Sequence, residues 1–198
     1  TMVPRFQQLY NNLQVKDYFD NDDIALVLAK ANLMASSGFT GDAALSLGAN
    51  KDRSRDKTYN NAKMFAEIYR LLGLISVVND VSSNYRFTYI GEHMVVPGAD
   101  KKAIVEQCIL GMNNPNRIMD VSYDESVRFF SCVLLTMNEL DGMICRDEMI
   151  LGPMSVNDNS PEEFDKMIQY IKSVRGDYKN QQNDLENHAK SLNSNNKE

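Results

Sequence analysis

The sequence predicts a mainly α-helical protein with a small β-hairpin wing, arranged as a winged helix-turn-helix followed by a helical subdomain. Three observations lead to this fold class. Apolar residues recur at helical spacing through most of the chain, and one stretch between Leu74 and Ile90 alternates instead with a period of two. The order of elements up to that stretch is helix, short helix, longer helix, hairpin, which is the order of a winged helix-turn-helix.

Composition limits the classes of protein to consider. The chain has 198 residues, of which 43% are hydrophobic, with a formal net charge of -6 and a mean hydropathy of -0.40. A chain of this length can bury roughly 70% of its unfolded surface. No apolar run approaches the roughly 20 residues of a membrane span, and the N-terminus has no basic-then-apolar leader. We therefore expect a globular, cytoplasmic protein with no membrane partner.

Four helical segments are expected before the hairpin. The first lies within residues 1–21, and the second begins at Ile24 after a capping cluster, Asn21-Asp22-Asp23. A short helix is predicted over residues 40–47, and a longer one starts near Asp56 and ends at Gly73. The apolar positions of the longer helix include Ala62 and Ala66, so its other side is free to be polar.

The hairpin follows directly. Residues 74–78 and 85–90 are rich in β-branched and aromatic side chains, and residues 79–84 are turn formers. Gly91 is expected to close the hairpin, and Glu92 to begin a short helical turn. This ribbon is the predicted wing.

The second half is helical throughout in the prediction. Helices are expected over residues 101–112, 122–140 and 146–151, and the clearest start in the chain is Ser160-Pro161-Glu162-Glu163. Beyond Asp177 the composition turns to Asn, Gln, Lys and Glu, which suits a frayed tail or an exposed helix. The predicted organisation is a DNA-binding subdomain at 1–98, a helical subdomain at 99–176, and a polar tail or linker at 177–198.

A basic island precedes and enters the longer helix. Six cations and three anions lie between Lys51 and Arg70, a net +3, which leaves -9 for the rest of the chain. A positive face on an acidic body would orient the protein on phosphates, although a solvated basic surface has the same composition. Asn60 and Asn61 are amides of the type that read adenine, and Arg86 would reach from the wing. The predicted DNA-binding residues are Lys51, Arg53, Arg55, Lys57, Thr58, Asn60, Asn61, Lys63 and Arg86.

Two stretches of the first half carry a resemblance. Residues 69–75, with Gly73, and residues 85–91, with Thr88 and Gly91, resemble a signature of winged-helix DNA-binding proteins. Five downstream stretches resemble the recognition region of AlwI-like and other type II (IIS) restriction endonucleases: residues 104–112, Pro115, 129–140, 142–148 and 168–175. In one of them, Cys145 stands where that family usually has Ser or Thr. The resemblance implies sequence-specific binding of double-stranded DNA, with restriction-modification as its context.

The resemblance also implies a nuclease domain or subunit elsewhere, which would cut with a divalent metal ion. The carboxylate pattern of such a centre, an acid followed at a distance by Glu/Asp-x-Lys on a strand, is missing here, because the acidic pairs fall in helical context. Asp147-Glu148 and Glu162-Glu163 suit helix N-termini instead. With three scattered cysteines and two histidines, the segment itself is expected to hold no catalytic residue, metal or cofactor.

Two alternatives remain open at this point. The stretch from Asp120 to Glu163 has ten anions and two cations, a net -8, which would suit a winged-helix scaffold that binds a basic protein partner. A free-standing transcriptional repressor differs from the first hypothesis in having no nuclease partner. The sequence does not specify the DNA target or the oligomeric state.

Overall fold

The chain folds into two compact units, Thr1–Cys108 and Ile109–Glu198. The structure is a computed structural model, and it describes residues 2–36, 38–48, 52–78, 81–113 and 127–195. The described part is mainly helical with one two-stranded antiparallel sheet, as the sequence predicts at that level. Among these residues, no helix combines the length and the apolar character that crossing a bilayer requires.

Among its described residues, the first unit contains five complete α-helices, most of a sixth, and the sheet. A 3₁₀ helix, Arg53–Arg55, precedes the fourth helix. The sheet pairs Ile75 with Phe87 and Val77 with Tyr85, so the predicted hairpin is confirmed, with an irregularity between Val77 and Val78. The elements are α1 Met2–Leu13, α2 Asn21–Lys30, α3 Gly41–Gly48, α4 Lys57–Leu71, β1 Ile75–Val78, β2 Val81–Phe87, α5 Tyr89–Val95 and α6 Lys101–Leu110.

Three predicted boundaries of the first unit are wrong. The second strand, expected over residues 85–90, ends at Phe87, because Thr88 caps α5 and Tyr89 begins that helix. Helix α2 begins three residues earlier than expected, because the Asp20 carboxylate accepts hydrogen bonds from the backbone N–H groups of Asp22 and Asp23, both at 2.9 Å. Strand β2 begins at Val81, inside the stretch expected to form the turn, of which residues 79 and 80 lie outside the described part. Asn21, expected to cap, is instead buried in the first turn of α2.

An aromatic cluster holds α1, α4 and the hairpin together. Phe6 of α1 contacts Tyr69 of α4 with ring centroids 5.1 Å apart, and it contacts Phe87 of β2 at 5.7 Å. Phe19, which precedes α2, lies 4.8 Å from Phe87 and forms an isolated antiparallel bridge to Tyr85. Phe6, Phe19 and Tyr69 are almost fully buried. The core therefore fixes the direction of α4 relative to the hairpin.

Two hydrogen bonds of the Thr88 hydroxyl to backbone groups, which we call the Thr88 clamp, join the end of α4 to the start of α5. The Thr88 hydroxyl donates to the Gly73 carbonyl at 2.5 Å and accepts from the Gly91 N–H at 3.1 Å, so Thr88 caps α5. A Cβ at Gly91 would lie 2.2 Å from the Leu74 carbonyl oxygen. Gly91 thus lies inside α5 and does not close the hairpin, which corrects the prediction.

The second unit has four helices among its described residues: α7 Phe129–Glu139, α8 Arg146–Leu151, α9 Pro161–Val174 and α10 Tyr178–Asn195. Its core is built from Cys132, Leu140, Met167, Ile168 and Ile171. Ser160 caps α9 through the Glu163 N–H with Pro161 in the first turn, which confirms the predicted helix start. The predicted helix over 122–140 begins at Phe129 in the described part, and residues 114–126 lie outside it.

The segment expected to be a polar tail is mostly helix α10. Its Gln181 is buried and donates to the Val174 carbonyl at 2.9 Å. Tyr170 of α9 donates to a carboxylate oxygen of Asp184 at 2.7 Å. Burial, and then the neighbouring Asp184 carboxylate, raises the pKa of Tyr170 to about 12. Of the two alternatives predicted for residues 177–198, an exposed helix therefore describes the segment better than a frayed tail does.

Candidate nucleic-acid interface

Helix α4 is held in place at its first two turns by side-chain hydrogen bonds. The Asp56 carboxylate caps the helix through the Tyr59 N–H at 2.9 Å. The Thr58 hydroxyl donates to the Ala44 carbonyl of α3 at 2.9 Å, and the Asn61 amide donates to the Ala35 carbonyl after α2 at 3.1 Å. The start of α4 is thus fixed to both preceding helical segments, so its orientation is set before any ligand binds.

A second set of contacts joins α4 to α2 and the hairpin. The Asn21 amide nitrogen lies 3.4 Å from the Tyr59 hydroxyl, and the Tyr85 hydroxyl donates to the Asn21 Oδ1 at 3.2 Å. Burial is the main cause of the raised pKa of Tyr85. One buried amide therefore connects three elements of the first unit.

The two sides of α4 differ sharply in burial. Thr58, Ala62, Ala66 and Tyr69 form a buried stripe that faces the other helices. At 100° per residue, the side opposite this stripe carries Lys57, Asn60, Met64, Glu67 and Leu71, and the first three of these are exposed. These three exposed residues, which we call the outer face of α4, are the part of this side that a ligand can reach most readily.

Cations surround the outer face of α4. The Arg55 side chain is 78% exposed and has only a 3.4 Å contact with Asp52, which is itself 53% exposed. Lys63 is 58% exposed and lies 3.9 Å from Glu67. Lys57, in the first turn of α4, is exposed with no ion pair among the described residues. Exposed pairs of this kind contribute about 0–1 kcal/mol, so these cations can be redirected to phosphates at little cost.

The acidic residues of the island act against anion binding at the helix start. The Asp56 carboxylate is buried and already bonds the Tyr59 N–H. A phosphate on the first amides of α4 would therefore meet the Asp56 carboxylate, which disfavours the anion binding that helix starts often support. The cationic side chains on either side of Asp56, Arg55 and Lys57, remain as the groups for a phosphate.

The structure sorts the predicted DNA-binding residues into three groups. Thr58 was predicted on the solvent side and this is wrong: it is 4% exposed, because its hydroxyl is committed to α3. The Asn61 amide nitrogen donates to the Ala35 carbonyl and its side chain is half-buried, so this residue helps to position α4 and is less accessible than Asn60. The residues that remain exposed are Arg55, Lys57, Asn60, Lys63 and Arg86.

Two of the predicted residues cannot be assigned a position. Lys51 lies outside the described residues, and of Arg53 the structure describes the 3₁₀ backbone but not the side chain. On the wing, Arg86 is exposed and its guanidinium donates to the Ser76 hydroxyl of β1 at 3.5 Å. A hydrogen bond of this length is weak, so Arg86 can exchange it for a contact with a ligand.

One residue of the outer face of α4 is absent from the prediction. Met64 is 49% exposed, although it is a large apolar side chain, and it follows Asn60 by one helical turn. The signal was present in the sequence, because position 64 lies opposite the midpoint of Ala62 and Ala66 on a helical projection.

Glu148, from one of the acidic pairs of the second unit, has structural partners. Glu148 is 4% exposed, accepts from the Cys145 N–H at 2.9 Å, and pairs with the Arg175 guanidinium at 3.1 Å. Arg175 also donates to the carbonyls of Leu140 and Met143, at 3.1 and 3.0 Å. Across the described ranges, no group of three or more His, Cys, Asp or Glu residues is arranged to hold a metal ion.

Comparison with protein-family models, curated proteins and solved structures gives no significant match. The functional assignment therefore depends on the geometry of the first unit and on the chemistry of its exposed residues.

Proposed function

We propose that the first unit is a winged helix-turn-helix module that binds double-stranded DNA. In this assignment α2, α3 and α4 are the helical core, α4 enters the major groove, and the β1–β2 hairpin is the wing beside the backbone. The single observation that supports it most is the exposed, weakly paired cluster of cations around the start of a helix that is rigidly fixed to its neighbours.

Phosphate binding would supply most of the affinity. Arg55 and Lys57 flank the start of α4, Lys63 lies at the edge of its outer face, and Arg86 lies on the wing. Each phosphate that such a cation neutralises releases counterions, so affinity falls as salt rises. The net -9 outside the basic island would disfavour other faces of the chain and help to orient it.

The finer assignment is a recognition domain of a restriction-type endonuclease. It is supported by the resemblance of the five downstream stretches to AlwI-like and other type II restriction endonucleases, and residues 69–75 and 85–91 add the resemblance to winged-helix DNA-binding proteins in general. The nuclease domain would lie outside this chain, and any divalent metal ion would be held there. In that arrangement the chain supplies sequence recognition and no catalytic group.

Salt-dependent binding to a duplex tests the DNA assignment. Fluorescence anisotropy of a labelled 20-bp duplex (about two helical turns) is measured with the full chain at several salt concentrations. We expect a linear fall of log affinity with log salt, with a slope of about -0.9 per phosphate contacted. The double variant Arg55→Gln/Lys57→Gln should reduce the magnitude of that slope by about 2, because two contacts are removed.

The matched control is Lys102→Gln. Lys102 is also an exposed lysine in the first turn of a helix, 85% exposed and 3.6 Å from Glu106, but it lies in α6. The control should bind as the wild type does. Equal slopes in the double variant and the wild type, or no binding at low salt, would contradict the proposal.

A second candidate function is protein binding through the second unit. Its helix α7 exposes Phe130, Leu134 and Leu135, which are 42%, 55% and 56% accessible. Exposed apolar patches of this kind are typical of interaction surfaces. Self-association of the full chain, measured by analytical ultracentrifugation and lost in Leu134→Glu, would favour this function, and dimers that form only on palindromic DNA would favour a free-standing repressor.

A further inference from the structure

The outer face of α4 combines one apolar side chain with two polar ones. Lys57, Asn60 and Met64 follow one another along the line opposite the buried stripe of the helix. Met64 is 49% exposed, and in the first two turns of α4 no other large apolar side chain is exposed to this extent. Ile68, one turn further along, is 37% exposed.

Asn60 offers mainly an acceptor. Its amide nitrogen donates to the Ser54 carbonyl at 2.9 Å, whereas its Oδ1 has no hydrogen bond among the described residues. In the major groove, the donors that an amide oxygen can bind are the exocyclic amino groups of adenine and cytosine. Asn60 therefore suits an amino-bearing base.

Met64 suits a different feature of the groove. Among the four bases, thymine alone presents a methyl group at the major-groove edge, and it is read by apolar contact. A thioether side chain is flexible and polarizable, so it adapts to such a contact. The surrounding cations Arg55, Lys57 and Lys63 favour a nucleic acid over an apolar protein surface as the occupant of this face.

We propose that Met64 is a specificity-determining residue that contacts the C5-methyl group of a thymine. Because Met64 lies one helical turn from Asn60, about 5.4 Å along the axis, the thymine lies within about two base pairs of the amino-bearing base. This inference rests on the proposed DNA binding and adds to it the chemistry of the bases that α4 reads.

The test begins with selection of duplexes from a random 20-bp pool by the full chain (about two helical turns, as above). Each recovered thymine is then replaced singly by deoxyuridine, which lacks only the methyl group. We expect one replacement to lower the affinity of the wild type roughly three- to tenfold, the range expected for one buried methyl contact. Met64→Ala should bind the thymine and deoxyuridine duplexes equally.

The control variant is Met154→Ala, because Met154 is also an exposed methionine, 59% accessible, but lies in the second unit. It should keep the full sensitivity to deoxyuridine. Circular dichroism of Met64→Ala confirms folding, which the exposure of the side chain leads us to expect.

The outcomes separate this inference from the proposed function. If the chain binds no duplex with salt dependence, DNA binding itself is refuted. If it binds with salt dependence but no thymine is sensitive to deoxyuridine, or if the sensitivity persists in Met64→Ala, the Met64 assignment alone is overturned.

Discussion

Gly91→Ala should destabilise the first unit, although a helical glycine replaced by alanine ordinarily gains up to about 1 kcal/mol. The added Cβ would lie 2.2 Å from the Leu74 carbonyl oxygen and 3.1 Å from the Phe6 ring. The same carbonyl accepts the Thr88 N–H at 3.1 Å, so moving it also weakens that hydrogen bond. Overpacking of this kind costs about 1–3 kcal/mol and a weakened hydrogen bond about 1, which leaves a net loss of about 1–3 kcal/mol after the helical gain is subtracted.

Urea unfolding followed by far-ultraviolet circular dichroism measures this loss. With a denaturant slope near 2 kcal/mol per molar, the midpoint should fall by about 1 M. Gly98→Ala is the control, because Gly98 has a positive φ of 84° and open space around its Cβ position. It should lose only about 1 kcal/mol from backbone strain. A Gly91→Ala variant as stable as the wild type would refute the close approach of α5 to Leu74.

Three further predictions concern stability. Thr88→Val removes the hydrogen bonds of the Thr88 hydroxyl to Gly73 and Gly91 and should lower the free energy of unfolding in urea by about 1–2 kcal/mol. Thr88→Ser keeps a hydroxyl and should retain most of that stability. Arg175→Met removes the ion-pair partner of the buried Glu148 carboxylate and should lower the free energy of unfolding by about 2 kcal/mol, with no change in DNA affinity. The loss is smaller than for a fully buried ion pair, because the Arg175 side chain is 33% exposed. The pKa of Tyr170 is near 10 when unfolded and about 12 when folded, so stability should fall as pH rises from 10 to 12, and Tyr170→Phe should make that fall shallower.

The hairpin and the strongest helix start were predictable because their signals are local. Alternation of β-branched and aromatic residues specifies strands, and Ser160-Pro161 places cap and first-turn residues in adjacent positions. The start of α2 was not predictable to the residue. Four short polar residues in a row, 20–23, can each cap a helix, and tertiary packing of Asn21 between Tyr59 and Tyr85 selects Asp20.

The candidate site was predictable in charge but not in detail. Arg55, Lys57 and Lys63 are exposed, as the basic island predicts, because charged side chains are seldom buried. Thr58 was misplaced, because its burial depends on where α3 lies, and that position is a tertiary property. The spacing of residues in a single sequence does not predict that a backbone carbonyl of α3 accepts the hydrogen bond of the Thr58 hydroxyl.

The signature that resembles winged-helix proteins has a structural explanation. Thr88 bonds to Gly73 across the end of α4, and Gly91 allows α5 to approach Leu74. These residues fix the hairpin against α4. The resemblance therefore concerns the scaffold, and the DNA contacts that we propose lie instead on the outer face of α4.

Hydrogen exchange of the full chain, with and without a 20-bp duplex of about two helical turns, tests most directly which surface contacts DNA. The central claim predicts slower exchange on binding in peptides that cover the start of α4, residues 56–64, and strand β2, with no change in α9. Protection confined to α9 and α10, or unchanged exchange at the start of α4 in a saturated complex, would contradict it.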